Sequence, residues 1–213
     1  MKRLFVGLCV ALTLAPLGGA VALEKGRDYD ALASPQPVDT GAKIEVREFF
    51  WYGCPHCYAL EGGLERWVKR LPSNVEFVRM PATVPRWMVH AQAYYTFAAL
   101  DATAKTHSAL FRAIHEKNRR LDSEAALAEF AKEQGIDPAK FREAWESFGV
   151  RFKLQQAKQA NAAYQISSVP TFAVDGKYVT SASMAGGEAQ LFAVLDQLIQ
   201  KAAQERLAQA GKR

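Results

Sequence analysis

The chain has 213 residues, 49% hydrophobic and 23% charged, with a formal net charge of +5 and three cysteines. That length buries a core without staples, and three cysteines cannot build the framework of a small disulfide-rich domain. The modest positive charge is spread through helical segments without a basic tract, which excludes a dedicated nucleic-acid binder.

Lys2 and Arg3 open the chain, a largely apolar stretch follows from Leu4 to Leu17, and Ala20-Val21-Ala22 closes it with small residues. This pattern predicts a secretory signal peptide over residues 1–22, cleaved after Ala22. An uncleaved anchor fits less well. The apolar run is shorter than the roughly 20 residues that span a bilayer, and Pro16, Gly18 and Gly19 interrupt it. Cys9 follows Leu8 early in this segment, unlike a lipoprotein cysteine, and leaves with it. The exported chain then keeps only Cys54 and Cys57, in a compartment where disulfide chemistry is accessible.

A polar entry segment with Pro35 and Pro37 leads to Lys43–Trp51 (KIEVREFFW), where Ile44, Val46, Phe49 and Phe50 predict a buried strand. Leu60, Leu64, Trp67, Val68 and Leu71 recur at spacings of three and four and predict a helix ended by Pro72. Val75–Met80 (VEFVRM) reads as a second strand, completing a βαβ unit.

Residues 86–164 change character to successive amphipathic helices. Asp122 or Ser123 is placed to cap one, and Asp137 before Pro138 to cap the next. Pro170–Val174 and Lys177–Ser181 flank Asp175-Gly176 as a hairpin, and Gly186-Gly187 precede a last helix carrying Leu191, Val194, Leu195, Leu198 and Ile199. The expected architecture is an α/β domain of residues 23–85 and 165–213, interrupted by a helical domain of residues 86–164.

Cys54-Pro55-His56-Cys57 joins the first strand to its helix. A zinc site needs about four ligands. The chain offers two cysteines with His56, His90, His107 and His115, the last three read as ordinary helix residues. Haem attachment needs a histidine after the second cysteine, where Tyr58 stands. A structural staple between residues three apart closes a tiny, strained loop and gains little.

A reactive dithiol has more physical support. A helix starting near Cys54 would direct free N–H groups and its positive dipole end at that sulfur and favour the thiolate, with His56 adding positive charge. Cys57, one turn deeper, would resolve the mixed disulfide formed on Cys54. Pro55 suits the first helical turn, where its missing N–H costs nothing, and fixes the spacing of the sulfurs. Trp51 and Tyr52, beside the motif, either line a groove or pack.

Glu48-Phe49-Phe50, Cys54-Pro55-His56-Cys57, Val169-Pro170-Thr171 and Asp175-Gly176-Lys177-Tyr178 together resemble the thioredoxin-fold proteins, and among them the DsbA family of bacterial periplasmic thiol-disulfide oxidases. The resemblance covers nearly the whole mature chain. It implies a thioredoxin fold with an inserted all-helical subdomain, a periplasmic location, and a cis Pro170 facing the cysteines. Val169 backbone groups would pair with an extended substrate peptide. Glu48 falls where the family has a buried acid that relays protons to Cys57, and Arg79 where a lysine is common; an arginine holds its proton too tightly to relay it.

The implied activity oxidises cysteine pairs of reduced exported proteins by donating a Cys54–Cys57 disulfide. A DsbB-type, quinone-linked inner-membrane partner would reoxidise the pair, with no other cofactor. A monomer is expected, and the second cysteine pair of some relatives is missing. Isomerisation or reduction is the rival enzymatic reading, but the resembling isomerases carry an N-terminal dimerisation domain and usually Thr in place of Val169. A non-catalytic chaperone or metal carrier is the rival from another class.

Overall fold

A computed structural model describes residues 23–211. The expected signal peptide and its cleavage site lie outside the described residues. The elements in chain order are β1 (Asp30–Ala31), β2 (Ile44–Phe50), α1 (Pro55–Val68), β3 (Val75–Pro81), a 3-10 turn at Pro85–Trp87, α2 (Met88–Ala99), α3 (Thr103–His115), α4 (Glu124–Glu133), α5 (Pro138–Trp145), α6 (Phe148–Ala163), β4 (Thr171–Val174), β5 (Tyr178–Thr180), α7 (Ala182–Ala185) and α8 (Glu188–Ala210). Among the described residues no helix is long and apolar enough to cross a membrane.

The five strands form one sheet in the order β1-β5-β4-β2-β3. β2 and β3 run parallel, as the βαβ reading requires, while β4 and β5 pair antiparallel as the predicted hairpin. β2 sits between β3 and β4, and all seven of its residues are buried, including Glu45, Arg47 and Glu48. A strand covered on both faces gives each side chain a protein environment, so its charged residues need partners. Register supplies one: Glu48 lies directly opposite Arg79 on β3.

Alternation sends Ile44 and Val46 into a core with Leu60, Leu64 and Trp67 of α1 and Leu191, Leu195 and Leu198 of α8. Trp67 Nε1 donates to Asp196 Oδ1 at 2.8 Å, tying the two helices. Gly63 permits their close approach, since a Cβ there would stand 3.2 Å from the Phe192 ring. A second core belongs to α2–α5, where Phe97, Phe111, Phe130 and Phe141 pack, and Phe50, Tyr52 and both cysteines join it. The cysteine motif therefore lies where the sheet meets the helices.

The predicted caps form: Ser123 accepts from the Ala126 N–H, and Asp137 from those of Ala139 and Lys140, with Pro138 at the first helical position. α1 ends at Val68 rather than at Leu71. β1, which pairs with β5 inside the polar entry segment, and the four-residue α7 were not predicted. Gln36 of that segment donates to the Gly176 carbonyl at 2.7 Å. Gly176 has φ +65°, and a Cβ there would lie 2.0 Å from the Gln36 carbonyl, so the hairpin turn needs glycine.

Candidate active site

Cys54 occupies the N-cap of α1, with extended backbone (φ −87°, ψ 116°), and Pro55 begins the helix. The helix N–H groups left without intrahelical partners at this end, those of His56 and Cys57, act on the Cys54 sulfur. A hydrogen bond from Cys57 is the largest influence on Cys54; with the N–H groups of Cys57 and His56 and the nearby His56 charge it outweighs burial and lowers the thiol to about 6. Burial pushes Cys57 far up, and the Cys54 bond and the Glu48 charge push the same way. Cys57 is 0% exposed and Cys54 6%, while Pro55 and His56 are exposed. Both cysteines are free thiols.

The loop before β4 covers the sulfur. Val169–Pro170 is a cis peptide, and the Cys54 thiol faces the Val169 carbonyl oxygen at 3.4 Å. Val169 is half-buried and Pro170 buried, so main-chain groups of this loop border the motif. Trp51 is half-buried and stacks on Trp87 with ring centroids 4.9 Å apart. Tyr52 does not line a groove: it is 1% exposed and packs edge-on against Phe50.

Beneath Cys57 lies a buried acid cluster. Glu48 is 0% exposed, and Arg79 Nε donates to its Oε2 at 3.1 Å; Oε1 is buried without a partner among the described residues. Burial raises the Glu48 carboxyl to about 8, Arg79 opposing and Glu61 reinforcing the shift. Arg79 Nη2 also reaches Glu61 Oε1 and Oε2 at 3.3 and 3.4 Å. Glu48 is thus no solvated strand residue, and Arg79 is its partner.

The histidines read as ordinary helix residues converge on Tyr52. Its hydroxyl lies 2.9 Å from His107 Nδ1, and the His115 Nε2–H donates to its carbonyl at 2.7 Å. The His90 ring packs against it edge-on at 6.0 Å while Nε2–H donates to the Leu121 carbonyl. Glu61 and His107 are members of the cluster that sequence reasoning missed. A cavity of about 770 Å³ lies apart from the sulfurs and shares Arg79 with the cluster.

The model of the DSBA-like thioredoxin domain matches residues 80–199. The thiol:disulfide interchange protein DsbA of Pseudomonas aeruginosa is 39% identical over 199 residues, 91% of this chain and 94% of that protein. The chain belongs to the DsbA family. The DsbA of Azotobacter vinelandii is 40% identical, covering 98% of this chain and all of the relative. The crystal structure of Pseudomonas aeruginosa DsbA matches with a TM-score of 0.80 at 40% identity, covering 87% of this chain and 95% of that one. DsbA from Xylella fastidiosa matches with 0.79 at 27% identity, covering 85% and 98%. The DsbA fold, a thioredoxin-like sheet with a helical insertion, is the expected one, and thiol:disulfide interchange is the activity of the family.

Proposed function

We propose that this DsbA-family oxidoreductase works as a dithiol oxidase, with Cys54 the attacked sulfur and Cys57 the resolving one. The carrying observation is the opposed environment of the two sulfurs, one lowered to about 6 at a helix N-terminus and the other buried and pushed up. A substrate thiolate attacks Cys54 Sγ of the Cys54–Cys57 disulfide, the S–S bond breaks, and its electron pair leaves on Cys57. Cys57 takes a proton, for which Glu48 is the placed donor because it still holds one at neutral pH. The second substrate thiolate then attacks its own sulfur in the mixed disulfide and releases Cys54 as thiolate. The substrate has lost two electrons and the enzyme holds them as a thiolate and a thiol.

His56 supports the Cys54 thiolate, and Pro55 sets the first helical turn that spaces the sulfurs. Val169 and Pro170 present main-chain groups to an extended peptide beside Cys54, in the manner of strand addition. The substrates are reduced exported proteins, the location the periplasm after cleavage behind Ala22, and the reoxidant a DsbB-type membrane partner; the pair itself is the redox group. Residues 23–85 and 165–213 form the thioredoxin-like domain and residues 86–164 the inserted one, the working unit being a monomer.

The test is the equilibrium potential of the pair in glutathione buffers. The established values for DsbA itself, a thiol near 3.5 and a potential of about −120 mV, set the oxidising end of the scale. A potential close to that end is expected. One near the roughly −270 mV of thioredoxin would make the protein a reductant and overturn the reading. Cys54→Ser is expected to lose all turnover.

A further inference from the structure

Arg79 offers one positive charge to two buried carboxylates. Its Nε is 3.1 Å from Glu48 Oε2 and its Nη2 3.3 Å from Glu61 Oε1, with the Glu61 side chain 9% exposed and that of Glu48 fully buried. Two carboxylates sharing one guanidinium away from water cannot both ionise cheaply, so one keeps a proton. The second partners decide which one. Glu48 has none, its Oε1 being buried and unpaired, whereas Glu61 Oε2 faces His107 Nε2 at 3.5 Å. That distance is long for a hydrogen bond, and the imidazole acts as an oriented N–H dipole on the carboxylate.

The ring is held for this purpose. Burial lowers His107 against the opposing pull of Glu61, leaving the imidazole neutral. The hydroxyl of Tyr52, whose phenol burial keeps protonated, lies 2.9 Å from Nδ1, and with a Glu61 carboxyl oxygen facing Nε2 the tautomer that serves both ring nitrogens is the one in which Tyr52 donates to Nδ1. The proton of the neutral ring is then on Nε2, towards Glu61. Phe50 and Phe111 box the ring edge-on at centroid distances of 5.1 and 5.2 Å. The titratable and charged groups facing it are Glu61 and Glu65 from α1, Arg79 from β3, Tyr94 from α2 and Tyr52 from the motif loop. None competes for Nε2 as closely as Glu61.

We propose that His107 is a positioning residue for the interchange reaction: oriented by Tyr52, it holds Glu61 as the ionised partner of Arg79 and so leaves the cluster's proton on Glu48, where Cys57 needs it. Glu61 is accordingly lowered, burial being overcome by His107 and Arg79 together, and its negative charge is one of the influences raising Glu48. The inference rests on the reading of Cys54 and Cys57 as the redox pair, but its test does not depend on turnover.

The experiment is a carboxyl carbon NMR titration of the reduced full chain labelled at glutamate, with Glu48 and Glu61 assigned by Glu48→Gln and Glu61→Gln. His107→Leu removes the N–H dipole, and His107→Gln restores a donor. In His107→Leu the Glu48 midpoint is expected to fall by about one pH unit, a tenfold change in proton affinity, as Glu61 rises. His107→Gln is expected to stay near wild type, and the pH profile of mixed-disulfide resolution is expected to follow the Glu48 midpoint. An unmoved Glu48 in a folded His107→Leu protein, or equal shifts in both variants, overturns the proposal. Should His107→Leu not fold, Tyr52→Phe carries the test: it frees the ring and must move Glu48 in the same direction, and an unmoved midpoint there is equally fatal. A moved midpoint in a protein that proves to be a reductant would leave this inference standing and refute the oxidase reading.

Discussion

The lowered Cys54 thiol makes the reduced protein's stability depend on pH in a stated direction. A group whose folded value lies below its unfolded one stabilises the fold fully above the unfolded value, and loses that contribution as pH falls through the folded one. For Cys54 the window runs from 9.0 down to about 6. Linkage over those limits gives about 2 kcal/mol lost between roughly pH 7.5 and pH 5. Cys54 lies beside the exposed Pro55-His56 turn, so water screens part of the interaction and about 1 kcal/mol is the expected net effect. Urea denaturation of the reduced wild type and of Cys54→Ser at both pH values isolates it, because other titrating groups are common to the two chains. The stability gap in favour of the wild type is expected to shrink by about 1 kcal/mol on acidification. A gap that stays constant within a few tenths, or widens, would refute the thiolate argument.

Glu48 has the opposite sign. Its carboxyl is raised from 4.5 to about 8, so its ionisation works against the fold as pH climbs through that interval, and Glu48→Gln is expected to gain stability relative to wild type over it. Denaturant midpoints at several pH values check this; a constant difference would contradict it. At Gly53 a Cβ would stand 2.3 Å from the Trp51 indole, so Gly53→Ala is expected to dislodge Trp51 from Trp87, costing about 1–3 kcal/mol. Unaltered near-ultraviolet circular dichroism would count against that. Asp137 caps α5 by accepting from two backbone N–H groups, and Asp137→Ala is expected to cost about 1 kcal/mol in a thermal melt.

The βαβ unit, the hairpin and the helix caps were legible because each rests on local chemistry: strand composition, glycine or aspartate in a turn, Ser or Asp before a helix. β1 was not, since two residues carry no alternation and the strand exists through pairing with β5. The acid cluster was half legible. Glu48 could be singled out through the family resemblance, but its tie to Arg79 depends on strand register, which places the two directly opposite. His107, Phe111 and His115 stand four residues apart, so their common face on α3 could have been seen. What that face meets could not: Tyr52 and Glu61 are brought to it by tertiary packing, and only then does a helix histidine acquire a role.

Only Pro55 and His56 separate two sulfurs whose proton affinities are driven in opposite directions, and the cause is where the backbone aims each. Cys54 meets the free donors of a helix start; Cys57 is buried in the core that holds Phe50 and Tyr52, under the influence of the Glu48 carboxyl. In a disulfide neither charge exists, so whatever stabilises the Cys54 thiolate stabilises the reduced pair alone and makes the oxidised pair a better electron acceptor. The same logic explains why the fold tolerates two carboxylates on one buried guanidinium. An apolar core would be more stable there, but in the reaction proposed above it would leave the departing Cys57 without a proton donor, and the oxidising bias of Cys54 would then be expressed only slowly.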